Sequence, residues 1–244
     1  MTTYNLTYKP FGKYAVLIEW PPKIDENIFE DVIKFKNKIA KNNIEVLVDV
    51  INTYNSLTII YNSTIKNIYS EILALKSIYK TSSVDNNIKN YCWNIPICYD
   101  QKFGIDLVEI SASKKISIDE IILRHSGAIY NVYFVGFLPG LLYLGGLDES
   151  LIFARKGKPR LLVEKGSVGI GGAQTGIYPQ NSAGGWNIIG KSPISFFARL
   201  NKEPCFAKSG DKIRFVPVGL DEFEQLRSQV NLGSYKMERK LINA

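Results

Sequence analysis

The chain has 244 residues, 45% hydrophobic and 22% charged, the balance of a soluble globular protein with room for one large domain or two ordinary ones. Its net charge is +7, but the cations are scattered in twos, as in Lys114-Lys115 and Arg155-Lys156, which argues for a solvated surface and against a nucleic-acid stripe. Three cysteines without a C-x-x-C pair argue against a structural zinc or a disulfide framework. No export signal is read in MTTYNLTYKPFGKYAVLIEW, and no apolar run approaches the roughly 20 residues that cross a bilayer, so a reducing cytoplasm is expected and no membrane.

Tyr14 to Trp20 reads as a strand ended by Pro21-Pro22. Asp25 predicts the N-cap of a helix reaching about Asn42, with Ile28, Val32, Phe35 and Ile39 at helical spacing. Glu45 to Ile51 and Leu57 to Tyr61 read as strands. Thr64 to Tyr79 reads as a helix striped by Ile65, Ile68, Ile72, Leu75 and Tyr79, and a further strand follows at Tyr91 to Tyr99. The order βαββαβ is the ferredoxin-like split-βαβ arrangement, which identifies no function by itself. Polar, aperiodic Thr81 to Asn90 reads as a linker, placing the first domain at residues 1–88.

Beyond residue 100 the pattern changes. A short helix is expected near Asp106 to Ser113, and Ser117-Ile-Asp-Glu120 is a capping box opening a helix to about Ser126. Short β segments then follow at Asn131–Phe137, Arg160–Val163, Ser167–Ile170, Trp186–Ile189, Ile194–Ala198 and Lys212–Val216. Most of the 19 glycines fall between Gly127 and Gly190. Many short strands punctuated by glycine predict a closed β-barrel domain over 89–220, with a helical tail over 221–244. The fold class is therefore α+β.

The glycines serve either tight turns or the close approach of a ligand to bare backbone, and polar Gln174 and Thr175 inside GGAQTG favour a site there. His125, the only histidine, either caps its helix C-terminus or acts as an acid–base group. No G-x-S-x-G or H-E-x-x-H occurs, and no metal site is read. The stretch GGWNIIGKSP satisfies G-x-x-x-x-G-K-[ST], but a phosphate loop must run from a strand into a helix. Here Trp186 to Ile189 already reads as a strand and Pro193 follows Ser192 directly, so a strand and turn are expected.

The ordered elements GFLPGLLYLGGLD, KPR, KGSVGIGGAQTGIYP, SAGGWNIIGKSP and GDKIRFVPV, with upstream Pro96-Ile-Cys-Tyr99, Phe103-Gly104 and His125-Ser126, resemble the KipI/PxpB family. That family is also called allophanate hydrolase subunit 1, or carboxyltransferase subdomains C and D. The resemblance spans most of residues 10–220. It implies a cyclophilin-like barrel and one of two roles. The first is the B component of an ATP-dependent 5-oxoprolinase working with a KipA-like C component and a LamB/YcsF-like A component. The second is an inhibitor of a sporulation-type sensor histidine kinase. By position it implies a pocket of His125, Pro139, Arg160, Gln174, Thr175, Tyr178, Trp186 and Lys191. His125 would act in acid–base chemistry, Gln174 and Thr175 would orient substrate, Trp186 would wall the pocket, and Arg160 with Lys191 would hold a carboxylate or phosphate. Leu141-Leu142 replaces the family's usual Phe-Pro, and Lys191 stands where Arg is usual, turning bidentate into point-charge recognition.

Overall fold

The computed structural model describes residues 4–42, 47–81 and 89–242, and the chain divides into two compact units, 1–88 and 89–244. The first unit contains β1 (Thr7–Phe11), β2 (Ala15–Glu19), α1 (Glu26–Lys41), β3 (Leu47–Asn52), β4 (Ser56–Tyr61) and α2 (Ile68–Lys80). Its sheet is antiparallel in the order β1-β2-β4-β3. Asp25 caps α1 as expected, accepting from the backbone N–H groups of Asn27 and Ile28. The α1 stripe Val32, Phe35 and Ile39 is fully buried with Val16, Ile18, Leu57 and Ile59 from the sheet.

One expected strand belongs elsewhere. The edge position beside β2 is filled by the N-terminal β1, not by Tyr91–Ile97, which lies in the second unit. The sequence hid β1 because it is mostly exposed and carries Pro10, a residue that a sheet tolerates at an edge. The expected helix start at Thr64 also moves, because Asn67 caps α2 by accepting from Tyr69 and Ser70 N–H groups. Residues 45–46 of the second expected strand and 82–88 of the expected linker lie outside the described residues.

The second unit runs β5 (Tyr91–Ile97), α3 (Leu107–Lys114), α4 (Ile118–Gly127), β6 (Ile129–Val135), β7 (Leu142–Gly145), β8 (Arg160–Val163), β9 (Ser167–Gly171), β10 (Gln174–Ile177), β11 (Ser182–Gly184), β12 (Asn187–Lys191), β13 (Lys212–Pro217), α5 (Leu220–Asn231) and β14 (Arg239–Leu241). Eight strands form one sheet in the order β12-β9-β10-β7-β6-β13-β5-β14. Its two ends meet where Cys98 and Lys191 exchange backbone hydrogen bonds of 2.9 Å, closing a barrel with β14 added outside the ring. The close approach needs Gly190, where a Cβ would stand 2.8 Å from the Cys98 carbonyl oxygen.

Inside the barrel the strands contribute Ile95, Val132, Leu144, Val168, Ile177, Ile189 and Ile213 to a single core. Strands β8 and β11 form a separate two-stranded flap. The expected strand at Ile194–Ala198 is irregular chain. Helix α5 ends at Asn231, and the chain beyond it returns as β14 to pair with β5 rather than continuing as a helical tail.

Candidate functional site

Strand alternation divides the expected pocket residues between two faces of one barrel wall. On β10, Thr175 and Ile177 point into the core while Gln174 and Gly176 face outward; on β9, Val168 and Ile170 point inward while Gly169 and Gly171 face outward.

Inside, His125 on α4 is fully buried. Its ring stacks on Phe215 at 4.8 Å and 5° and lies 5.5 Å from Tyr130. Nδ1 lies 2.7 Å from the Tyr99 hydroxyl and Nε2 lies 2.8 Å from Thr175 Oγ1. Thr175 donates its hydroxyl proton to the Gly169 carbonyl, so it can only accept from His125. That assigns the neutral tautomer with the proton on Nε2, Nδ1 accepting from Tyr99. Burial lowers the His125 pKa to about 3 and pushes the Tyr99 hydroxyl well above its usual range. The ring neither caps α4 nor has a route to a proton donor in solvent; it is a satisfied core histidine, held by Thr175.

Outside, the indole of Trp186 lies on a bed of glycines. A Cβ at Gly171 would stand 2.3 Å from Trp186 Cδ1, one at Gly176 2.8 Å from Cζ3, and one at Gly169 3.1 Å from Cβ. These glycines therefore serve neither turn nor ligand directly; they let a tryptophan seat flat on the barrel. Tyr178 meets the indole edge-on at 6.0 Å, and with Val163 and Ile188 it forms a small apolar cluster separate from the barrel core.

Above the indole stands Arg155, its guanidinium carbon 5.8 Å from the ring centroid. Burial raises the Tyr143 and Tyr178 hydroxyls, and Arg155 opposes the rise in both, which places its charge beside the two phenols. No carboxylate within ion-pair distance of Arg155 occurs among the described residues. The neighbouring cations are neutralised. Arg160 donates to Asp106 at 2.6 Å, and Lys156 reaches Asp106 at 3.1 Å and Glu109 at 2.8 Å. Asp106 opens α3 without capping it; instead it accepts from the Ile188 N–H at 2.6 Å, tying that helix to β8 and β12. Burial alone would raise its carboxyl, but the bonds from Arg160, Ile188 and Lys156 outweigh that and hold it below the ordinary range.

The expected partnership of Arg160 with Lys191 does not form. Lys191 pairs with Glu164 and lies 5.5 Å from the ring of Phe103, while its backbone closes the barrel. Pro139 stands in a third place, a cleft lined by the 135–140 loop and Phe197. The eight expected residues are thus a core pair, an outer-wall group of Gln174, Tyr178, Trp186 and Arg160, and two outliers. On the wall, Gln174 Oε1 is buried with no hydrogen-bond partner among the described residues. Trp186 and Tyr178 are themselves buried, so the group this wall shows to solvent is the exposed, un-neutralised guanidinium of Arg155, a charge that suits an anion. Among the described residues no group of three or more His, Cys, Asp or Glu could hold a metal.

Residues 6–207 match the family described as carboxyltransferase domain, subdomain C and D. The chain belongs to this family. The 5-oxoprolinase B component of Escherichia coli is 34% identical over 206 residues, covering 84% of this chain and 93% of that one. The corresponding 5-oxoprolinase B component of Bacillus subtilis is 29% identical over 239 residues, covering 94% and 100%. The urea carboxylase of Kluyveromyces lactis matches 98% of this chain with a TM-score of 0.81; at 19% identity it shares the fold alone, and the chain spans 24% of its length.

Membership in the family does not by itself bring Asp106 and Arg155 forward, and the sequence pattern misses both. Asp106 looks like the first residue of a helix. Arg155 is absorbed into the scattered basic surface, and nothing in its neighbours distinguishes it from Lys156 until Trp186 is placed beneath it. Among the described residues no helix is long and apolar enough to cross a membrane.

Proposed function

We propose that this family member is the B component of an ATP-dependent 5-oxoprolinase, opening 5-oxo-L-proline to L-glutamate with LamB/YcsF-like A and KipA-like C components. Similarity over nearly the whole length of two such B components supports the reading. The observation that carries it is the outer-wall site, which has the features of a receptor and no paired nucleophile and base. Arg155 would take the substrate carboxylate in a charge-assisted contact, the lactam ring would lie on the wall beside the buried Trp186, and Gln174 Oε1 would accept from the lactam N–H. Arg160, fixed by Asp106, would position the wall and leave the substrate to Arg155. His125 and Thr175 would hold the wall from inside.

ATP is used by the complex in this reading, and residues 184–193 offer no phosphate loop, since β12 occupies the place of the loop and no helix follows. No observation favours the kinase-inhibitor role. The test is to purify the three components and measure ATP-dependent glutamate release with and without this chain. Activity only when it is present is expected; full activity from the A and C components alone would overturn the proposal.

A further inference from the structure

A second site lies in the barrel unit, away from Trp186. It is a cleft of about 990 Å³, lined by the 135–140 loop, the 197–208 segment and the β5 and β14 side chains Tyr91, Trp93 and Arg239. Its size falls at the upper end for small-molecule pockets.

Three independent features mark it as built. The guanidinium of Arg239 lies over Tyr91 at 4.1 Å and over Trp93 at 5.1 Å. A guanidinium oriented by ring faces and not by a carboxylate keeps its charge and its in-plane donors for a ligand. Lys89, Lys202 and Lys208 add three cations, and no ion pair involves any of them or Arg239 among the described residues. Of the two carboxylates in the lining, Asp211 is only 1% exposed and is consumed by the N–H groups of Tyr91, Lys208 and the Trp93 indole, leaving Glu203 against four cations. Finally, Phe137 lines the cleft at φ 64° while 80% exposed. A bulky residue in the left-handed region is a backbone outlier, and holding an aromatic ring out to solvent there gains nothing in packing.

We infer that this cleft binds a small polyanion carrying a flat apolar body, the chemistry of a nucleoside phosphate, with phosphates on Arg239, Lys202 and Lys208 and the planar group against Phe137 and Phe197. Several separate cations suit several phosphates better than one carboxylate, and the exposed Phe137 ring offers a stacking face that a bare phosphate would not use. The inference stands on the cleft and not on the oxoprolinase reading, and it is tested on the isolated full chain, so its failure leaves that reading intact.

Isothermal titration calorimetry with ATP, tripolyphosphate and adenosine separates the parts. ATP is expected to bind more tightly than either fragment, with affinity falling as salt rises. Arg239→Gln should weaken ATP by about tenfold or more, as loss of a charge-assisted contact does. Phe137→Ala, a change at an exposed side chain, should weaken ATP but leave tripolyphosphate unchanged. Arg155→Gln, in the other site, should leave ATP binding unaltered. No binding of ATP, equal binding of tripolyphosphate or adenosine, or loss of ATP binding in Arg155→Gln but not in Arg239→Gln would each overturn the inference.

Discussion

Gln174 and Thr175 are neighbours on one strand, and the wall of the barrel runs between them. Thr175 faces a buried interior in which both ring nitrogens of His125 are matched, whereas Gln174 faces a wall where an amide oxygen has no hydrogen-bond partner and a guanidinium no carboxylate among the described residues. A satisfied polar group inside a core specifies and stabilises a structure, while an unsatisfied one beside an aromatic surface waits for a ligand. Stability and recognition are thereby assigned to opposite faces of the same two strands.

The largest effect is expected from breaking the inner face. His125→Ala removes a fully buried ring, strands the hydroxyl of Tyr99 and takes from Thr175 the donor it accepts, so denaturant unfolding should show a loss of about 4 kcal/mol. Gly171→Ala tests the outer face by displacing the indole of Trp186, and should cost about 2 kcal/mol by overpacking and alter the near-ultraviolet dichroism of that ring.

The inner face also makes a pH prediction. Folded His125 has a pKa of about 3, against 6.5 for the exposed residue. Below the higher value the unfolded chain takes up a proton that the folded chain refuses, so this contribution to stability is complete above pH 6.5 and declines as pH falls towards 3. Between pH 7 and 5 the loss should be about 2 kcal/mol, and chemical denaturation of His125→Gln should lack that share of the slope. Lys191→Gln should have the smallest effect, under about 1 kcal/mol in thermal unfolding, because Glu164 is largely exposed and the barrel closure uses only the backbone of residue 191.

The longer elements were legible in the sequence and most of the short ones were not. Helix α1 was readable from Asp25 and four apolar residues, and β13 from Lys212 to Val216, because cap chemistry and apolar periodicity are local signals. Strands β7, β10, β11 and β14 have only three or four residues, too few for alternation to register, and β10 read as a polar glycine-rich loop instead. The motif set gave the outer-wall residues Gln174, Tyr178 and Trp186 but also His125 and Thr175, since a motif marks which positions matter and not which side of a wall they face. Arg155 escaped notice because its significance lies in a missing carboxylate, a property of three-dimensional surroundings.

If the outer wall is the working face and Arg155 its anion receptor, the kinetics of Arg155→Gln in the assembled three-component complex should show it. ATP-dependent glutamate release would be followed over a range of 5-oxoproline concentrations. The KM for 5-oxoproline should rise by about tenfold or more, with the stability of the chain shifted by no more than about 0.5 kcal/mol. An unchanged KM in a normally folded variant would remove Arg155 from substrate recognition and the outer wall from its assigned role.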